Sequence, residues 1–293
     1  MTMTLRTLRF HKVESVGNHF VLLDAQAMPE MDWSMLATSM CAHHFGVGAD
    51  GLLVIQRSAN AHFRFRMFNP DGTEDVCANG MRCATAYMHK TGHLTADEAT
   101  IEAVDALHLT RILAVDNGSV NVKLNMGIPS LRPADIPALA EIDRMVDYPL
   151  QVASDVYYTT GVSVGTPHAV IFVTTESLET SIPEVSRAIE THPLFPQRIN
   201  VTWCAVESRD LLRVRTWERG VGPTLGCGTG ACAALVAAHT KGLVGTSARV
   251  VSPGGSLWVE WPQKQDVSVS GWTNLLYEGK WIMQSPPMIS NSN

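Results

Sequence analysis

The chain contains two similar stretches, CANGMRC at residues 77–83 and CGTGAC at residues 227–232, and its architecture follows from them. Each begins with a cysteine, passes through a glycine-containing turn and enters an apolar segment with a helical pattern. The first amide groups of a helix have no partner within it, and the helix dipole is positive at that end. Because this environment favours a thiolate, Cys77 and Cys227 are candidate reactive thiols.

The similarity extends outward from the two cysteines, which lie 150 positions apart. FRFRMFN at residues 63–69 aligns with LRVRTWE at residues 212–218, at an offset of 149. Both alternate apolar with basic residues, as half-buried strands do. GNHFVLL at residues 17–23 likewise resembles GTPHAVI at residues 165–171, at an offset of 148. The sequence therefore indicates an internal duplication of two units.

The segments that follow the two cysteines are apolar on every helical face, so both helices must be enclosed. Gly92 and Gly242 supply the signals that end them. Short β-rich segments flank each helix, which predicts a strand layer wrapped around a central helix in each half. These segments are residues 52–55, 110–115, 120–124, 249–251 and 257–259.

The domain boundary is predicted between about residues 128 and 148, where three prolines interrupt a segment without a strand pattern. We therefore expect a first domain over residues 1–135 with the first cysteine, and a second over residues 136–284 with the other cysteine. Residues 285–293 read SPPMISNSN and are predicted to form a disordered tail.

The composition excludes several classes of partner. The 293 residues are 45% hydrophobic and carry a formal charge of −6 without basic runs, so nucleic acid is not an expected partner. Apolar runs are too short to span a bilayer, and residues 1–11 lack the apolar core of a signal peptide. We therefore expect no membrane association and a cytoplasmic location.

Neither a metal nor a cofactor is expected from the sequence. Six cysteines are too few for a disulfide scaffold, and the spacings of six and five residues within the two motifs do not suit a zinc site. GVGADG at residues 46–51 fits a dinucleotide-binding pattern, but it leads into a strand-like run where that site needs a helix. No pyridoxal-binding pattern is apparent either.

The paired cysteines suit the inversion of a stereocentre. If the two halves face each other across a cleft, a small ligand between them has one sulfur on each side and helix amide groups near its carboxylate. Removing the α-hydrogen of an amino acid creates a carbanion whose charge spreads into that carboxylate. The reaction needs a base on one face and an acid on the other, which a thiolate and a thiol provide.

Residues 69–83 and 217–232 resemble the two signature regions of diaminopimelate epimerases. GNHF at residues 17–20, GVGADG, PH at residues 167–168 and RIN at residues 198–200 match further family landmarks in order. The resemblance implies a cofactor-independent epimerase that interconverts LL- and meso-2,6-diaminoheptanedioate in lysine and peptidoglycan synthesis. It also implies an α+β fold with two pseudo-symmetric domains. Each is a β-barrel-like sheet around a central helix, the active site lies in the cleft between them, and the last strand returns to the first domain.

Position by position, the resemblance assigns Cys77 and Cys227 as the acid/base pair. It also assigns residues that hold the reacting carboxylate and amine, namely Asn79, Gly80, Gly228 and Thr229. The remaining predicted substrate contacts, most of them at the distant amino-acid end, are Asn18, Asn69, Thr166, Asn200, Glu218 and Arg219. A distal zwitterion needs an acceptor for its ammonium and a cation for its carboxylate, which Glu218 and Arg219 can supply.

The sequence leaves some alternatives open. Thr166 stands where the family usually has an asparagine, which suggests a cofactor-independent racemase of another amino acid such as histidine. A thiol redox protein in which Cys77 and Cys227 form a regulatory bond is a third possibility. His168 is either a catalytic base or, as we favour, a buried histidine whose hydrogen bonds are satisfied by the backbone. The sequence does not decide whether the chain forms a homodimer.

Overall fold

The fold is described from a computed structural model, which describes residues 7–179 and 182–283. The predicted tail at residues 285–293 lies outside these residues. Within them the chain forms seventeen strands and five α-helices. The helices are α1 (Trp33–Cys41), α2 (Ala78–Lys90), α3 (Thr175–Glu179), α4 (Ile182–Glu190) and α5 (Gly228–Thr240). None of the helices in this part of the chain combines the length and apolar character that crossing a membrane requires.

The strands fall into two sets that follow the duplication. Those of the first half are β1 (Thr7–Ser15), β2 (Asn18–Asp24), β3 (Gly51–Gln56), β4 (Phe63–Phe68), β5 (Glu74–Asp75), β6 (Glu98–Glu102), β7 (Leu107–Asp116) and β8 (Ser119–Asn125). Those of the second half are β9 (Tyr148–Val152), β10 (Asp155–Val164), β11 (Thr166–Phe172), β12 (Asn200–Ser208), β13 (Leu211–Glu218), β14 (Gly222–Thr224), β15 (Ser247–Ser252), β16 (Gly255–Glu260) and β17 (Ser268–Ile282).

The first half closes into an eight-stranded barrel. Its strands pair in the order β1, β2, β3, β4, β6, β7, β8 and β17, and β17 pairs again with β1. Closure leaves these strands without an unpaired edge. The parallel pairs are β2 with β3 and β4 with β6.

The second half repeats this order of pairings, although among the described residues it lacks the closing pair that completes the first barrel. Its order is β10, β11, β12, β13, β15, β16 and β17, and β11 with β12 and β13 with β15 are again the parallel pairs. β9 extends the sheet by pairing with β10. The repeated pairing confirms the predicted duplication and the α+β fold with two pseudo-symmetric lobes.

β17 joins the two lobes. Residues 268–270 pair with β16 of the second lobe, while residues 268–273 pair with β8 of the first. The strand then continues alongside β1 to Ile282. Because one continuous strand belongs to both sheets, the relative position of the lobes at this seam is fixed by backbone hydrogen bonds.

Each lobe wraps its sheet around one buried helix, as the apolar sequence predicts. The first eleven residues of α2 and of α5 are all buried. Both helices end in the same way, with a glycine at positive φ two residues beyond the last helical residue: Gly92 at +76° and Gly242 at +72°. Side chains from both helices belong to one apolar cluster, so the core is continuous across the seam.

Candidate active site

Cys77 and Cys227 occupy equivalent positions at the starts of α2 and α5. Each is the N-cap residue, with extended φ/ψ angles of −136° and 109° for Cys77 and −124° and 116° for Cys227. Each sulfur accepts a hydrogen bond from the amide three residues later, at 3.3 Å from Gly80 and 3.4 Å from Gly230. A cysteine therefore plays the part that serine or aspartate usually plays at a helix N-cap.

The two helices begin against each other. A Cβ added to Gly228 would lie 3.0 Å from the Cβ of Ala78 and 3.2 Å from Asn79 Oδ1, so only glycine allows this approach. Across the same contact, Asn79 Nδ2 donates to the carbonyl oxygen of Gly226 at 3.0 Å. Since Gly226 and Gly228 flank Cys227, and Ala78 follows Cys77, the structure brings both thiols to one junction.

Asn18 links the first thiol to the rest of its lobe. Its Oδ1 lies 3.8 Å from the sulfur of Cys77 and accepts a hydrogen bond from Asn79 Nδ2 at 3.2 Å. Its Nδ2 donates to Asp50 at 2.7 Å. Asp50 thereby fixes which way the Asn18 amide faces, and the Asn18 oxygen is directed to the thiol.

A chain of polar contacts surrounds the second thiol. The sulfur of Cys227 lies 3.3 Å from Thr229 Oγ1, and the charge of Glu218 opposes ionisation of this thiol. The carboxylate of Glu218 accepts from Thr224 Oγ1 at 2.6 Å. The sequence assigned Glu218 to the distant end of the substrate, whereas in the structure its charge also acts on the thiol.

His168 is fully buried and has hydroxyl partners on both ring nitrogens. Nδ1 lies 3.0 Å from Thr202 Oγ1, while Nε2 lies 2.9 Å from Thr229 Oγ1 and 3.2 Å from Thr166 Oγ1. Burial, with a smaller contribution from Arg219, lowers the pKa of His168 to about 3. The ring is therefore neutral and buried, but the predicted backbone partners are wrong, because threonine hydroxyls on neighbouring elements reach both ring nitrogens.

Burial controls the protonation of both thiols. It raises the pKa of Cys77 to about 12 despite the Gly80 amide, which stabilises the thiolate. Burial, and to a smaller extent the charge of Glu218, raises the pKa of Cys227 well above its ordinary value. The prediction that the helix start favours a thiolate is therefore wrong for this arrangement, because desolvation outweighs the amide groups and the helix dipole.

The other predicted contacts divide into two places. Asn200 Oδ1 accepts from the amide of Arg219 at 2.8 Å, and Asn200 Nδ2 donates to the carbonyl of Pro167 at 2.9 Å, next to His168. This pair therefore lies near the second thiol's polar chain. Asn69 instead bonds within its own loop, at 3.0 Å to Thr73 Oγ1. No described hydrogen bond joins Asn69 to the other predicted residues.

Two residues of the site were not predicted from the sequence. Asp50 lies in the GVGADG segment, which matched a family landmark without any of its residues being assigned to the site. Arg82 lies inside the first cysteine motif, and it is completely buried next to Asn79, to which its Nη2 donates at 2.8 Å. The sequence signal for Arg82 was a cation within the apolar segment that follows Cys77.

The remaining cysteines are buried packing residues, and they are Cys41, Cys83, Cys204 and Cys232. Among residues 7–179 and 182–283, no three His, Cys, Asp or Glu side chains form a group that could hold a metal ion. A surface cavity of about 530 Å³ is lined by Arg9, Asp24 and Tyr87 among others, and none of its lining residues is a predicted site residue. The thiol junction is separate from it.

Solved structures share this two-lobed fold. A phenazine biosynthesis protein of the PhzF family from Bacillus anthracis matches with a TM-score of 0.72 at 16% identity, over 95% of this chain and 100% of that protein. A hydroxyproline epimerase from Agrobacterium vitis matches with a TM-score of 0.67 at 16% identity, over 96% and 92%. These likenesses define the class by fold alone: two pseudo-symmetric lobes, each built around a central helix.

Sequence comparison defines the family. The sequence model of the diaminopimelate epimerase family matches residues 10–131 and 160–273 of this chain. A diaminopimelate epimerase from Halothermothrix orenii is 37% identical over 282 residues, which cover 94% of this chain and 99% of that protein. One from Desulforapulum autotrophicum is 40% identical over 264 residues, covering 88% and 93%. The chain belongs to the diaminopimelate epimerase family.

Proposed function

We propose that the protein interconverts LL- and meso-2,6-diaminoheptanedioate without a cofactor, with Cys77 and Cys227 as the acid/base pair. One observation carries this proposal: the two cysteines are equivalent N-cap residues of two helices that begin at the same junction. Family membership supports the substrate and a place in lysine and peptidoglycan synthesis. The molecule that the protein binds is therefore a small amino acid, its substrate.

The mechanism follows from the symmetry of the junction. One sulfur, as thiolate, removes the α-hydrogen from one face, and the other, as thiol, delivers a proton to the opposite face. The electron pair left on the α-carbon spreads into the carboxylate. Amide groups at the starts of α2 and α5, which have no acceptor within their own helix, are the donors for that charge. Asn79, Gly80, Gly228 and Thr229 form these helix starts, and the Gly80 amide also donates to the sulfur of Cys77.

Burial is part of the proposed chemistry. An α-hydrogen is only weakly acidic, so a base that removes it must have a high proton affinity. The raised pKa values of Cys77 and Cys227 make each thiolate a strong base once it forms. The same burial excludes water, which strengthens the interaction between the helix amides and the carbanion.

Recognition of the distal amino-acid end is assigned to the second lobe. Asn200 and Arg219 are joined by a hydrogen bond of 2.8 Å, and the Arg219 Nη1 donates to the carbonyl of Gln197 at 3.1 Å. We propose that Arg219 binds the distal carboxylate and Glu218 the distal ammonium. Asn18, Asn69 and Thr166 complete the proposed substrate contacts.

We also propose the domain division at residues 135 and 136, a cytoplasmic location and a homodimer. The dimer is supported by outward-facing apolar side chains on β7, where Leu109 and Leu113 are 44% and 47% exposed. Such apolar patches are typical of protein interfaces. The solution mass from light scattering decides between monomer and dimer.

A deuterium-exchange assay tests the proposed function. The reduced protein is incubated in heavy water with LL-diaminopimelate and, separately, with single amino acids such as histidine. We expect α-deuterium only in diaminopimelate, and loss of turnover in both Cys77→Ser and Cys227→Ser. Exchange into histidine instead would favour the alternative racemase. Full turnover of either serine variant under reduction would refute the acid/base pair and favour a redox role for the thiols.

A further inference from the structure

Arg82 is the largest fully buried side chain in the described part of the protein. It lies in the first turns of α2, and its Nη2 donates to Ser15 Oγ at 2.9 Å and to Asn79 Oδ1 at 2.8 Å. Its Nε and Nη1 have no hydrogen-bond partner among the described residues, and no carboxylate there pairs with it. Buried charges in proteins are normally paired, so this exception requires a reason.

The guanidinium lies where both lobes meet. A Cβ added to Gly228, at the start of α5, would be 3.5 Å from its Nη1, and one added to Gly271, on β17, would be 3.9 Å from its Nη2. Ser15 belongs to β1 and Asn79 to α2. The charge of Arg82 is therefore directly behind the junction of the two helix starts.

We propose that Arg82 is a positioning residue of the epimerisation site, which orients the Asn79 amide across the seam and supplies the counter-charge for the anion formed at the cysteine pair. This inference rests on the proposed function. Because Arg82 occupies Asn79 Oδ1, the Asn79 Nδ2 must face the other way, toward Gly226 O and Asn18 Oδ1. The contact thus removes the alternative, flipped orientation of the amide.

The charges around the junction act differently on its two thiols. Arg82 stabilises the thiolate of Cys77, whereas Glu218, on β13, opposes ionisation of both Cys77 and Cys227. Asp50 and Asp75 act on Glu218 and raise its pKa further. Arg82 also acts to lower the pKa of two buried packing thiols, Cys83 and Cys232, against the larger effect of their burial.

Thiol alkylation measures this charge effect without substrate. In a Cys227→Ser background, the rate at which iodoacetamide modifies Cys77 is measured by peptide mass spectrometry at several pH values below the pKa of that thiol. Only the thiolate reacts, so the rate at a fixed pH falls about tenfold for each unit by which the pKa rises. Arg82→Met is expected to lower the rate about tenfold or more, since a neighbouring opposite charge shifts a pKa by about one unit or more. Arg82→Lys keeps the charge and is expected to leave the rate within about threefold of the parent.

The positioning role is read from turnover in protein with both cysteines. Arg82 bonds both Asn79 and Ser15 through Nη2, and the lysine side chain is one atom too short to place its ammonium there. We therefore expect Arg82→Lys to lower kcat at least about tenfold while the alkylation rate of Cys77 stays near the parent. Thr85→Val is the matched control. Thr85 is equally buried on α2, and its hydroxyl bonds only to the Met81 carbonyl, at 2.9 Å. It should change neither quantity.

Two results would overturn the inference. One is an Arg82→Met protein whose Cys77 alkylates at the parent's rate, and the other is an Arg82→Lys protein with unchanged kcat. If Arg82→Met does not fold, Arg82→Gln, which also removes the charge but keeps a donor for Asn79, takes its place in the same alkylation assay. Failure of the proposed function shows separately, as retained turnover of Cys77→Ser with Arg82 intact.

Discussion

Gly228→Ala tests how closely the two helix starts must approach. The added Cβ would lie 3.0 Å from the Cβ of Ala78, where ordinary contact begins near 3.4 Å, so the starts of α2 and α5 must separate by a few tenths of an ångström. Such overpacking costs about 1–3 kcal/mol, partly offset by up to about 1 kcal/mol of helix propensity gained. We therefore expect the free energy of unfolding to fall by up to about 3 kcal/mol.

Gly228→Ala is also expected to slow catalysis. A misplacement of about 1 Å can cost about 100-fold in rate, so a few tenths should lower kcat/KM about fourfold. The assay is the initial rate of deuterium incorporation into LL-diaminopimelate, beside thermal unfolding of the same protein. Gly245→Ala is the matched control, because a Cβ there has no neighbour within 4 Å. It should leave the rate unchanged.

A second variant separates steric contact from other effects. Ala78→Gly combined with Gly228→Ala removes the opposing Cβ and should recover a large part of the lost rate. Wild-type kcat/KM in the Gly228→Ala single variant would refute the argument that the helix starts are coupled at this contact. A loss that the double variant does not relieve would point to Asn79 Oδ1, 3.2 Å from the added Cβ, as the obstructing atom.

Two further predictions concern charge. Glu218→Gln removes the negative charge that opposes ionisation of Cys227, so Cys227 should be alkylated faster at a given pH. An unchanged alkylation rate would contradict this effect of the Glu218 charge. Burial lowers the pKa of His168 to about 3, whereas the unfolded chain protonates near 6.5, so the folded state is destabilised as pH falls between these values. His168→Gln should remove this pH dependence. Between pH 6.5 and 5, the free energy of unfolding measured in urea should fall by about 1.5 kcal/mol more in the wild type than in the variant. An equal fall in both proteins would contradict a neutral His168 ring.

Much of the fold could be predicted because its signals are local. FRFRMFN and LRVRTWE alternate, and they form β4 and β13. The apolar segments after Cys77 and Cys227 form the enclosed helices α2 and α5, which end at the expected glycines. The closure of the first barrel by β17 was given only by the family resemblance, because it depends on pairing between residues more than 250 positions apart.

The site was less accessible to sequence reasoning, because its properties are tertiary. Local sequence showed that Cys77 and Cys227 begin helices, and this favoured thiolates. It did not show the desolvation that raises the pKa of both thiols and reverses that expectation. The effect of Glu218 on Cys227 and the placement of Arg82 behind the junction likewise depend on how the two lobes pack.

The most direct measurement of the central claim compares deuterium in product and recovered substrate at early times. If one sulfur lies on each face of the α-carbon, LL-diaminopimelate in heavy water should give meso product that carries deuterium at the inverted carbon, while recovered LL-substrate stays almost unlabelled. Equal labelling of recovered substrate and product would instead indicate a single base that both removes and returns the proton. That result would contradict a mechanism in which Cys77 and Cys227 act from opposite sides.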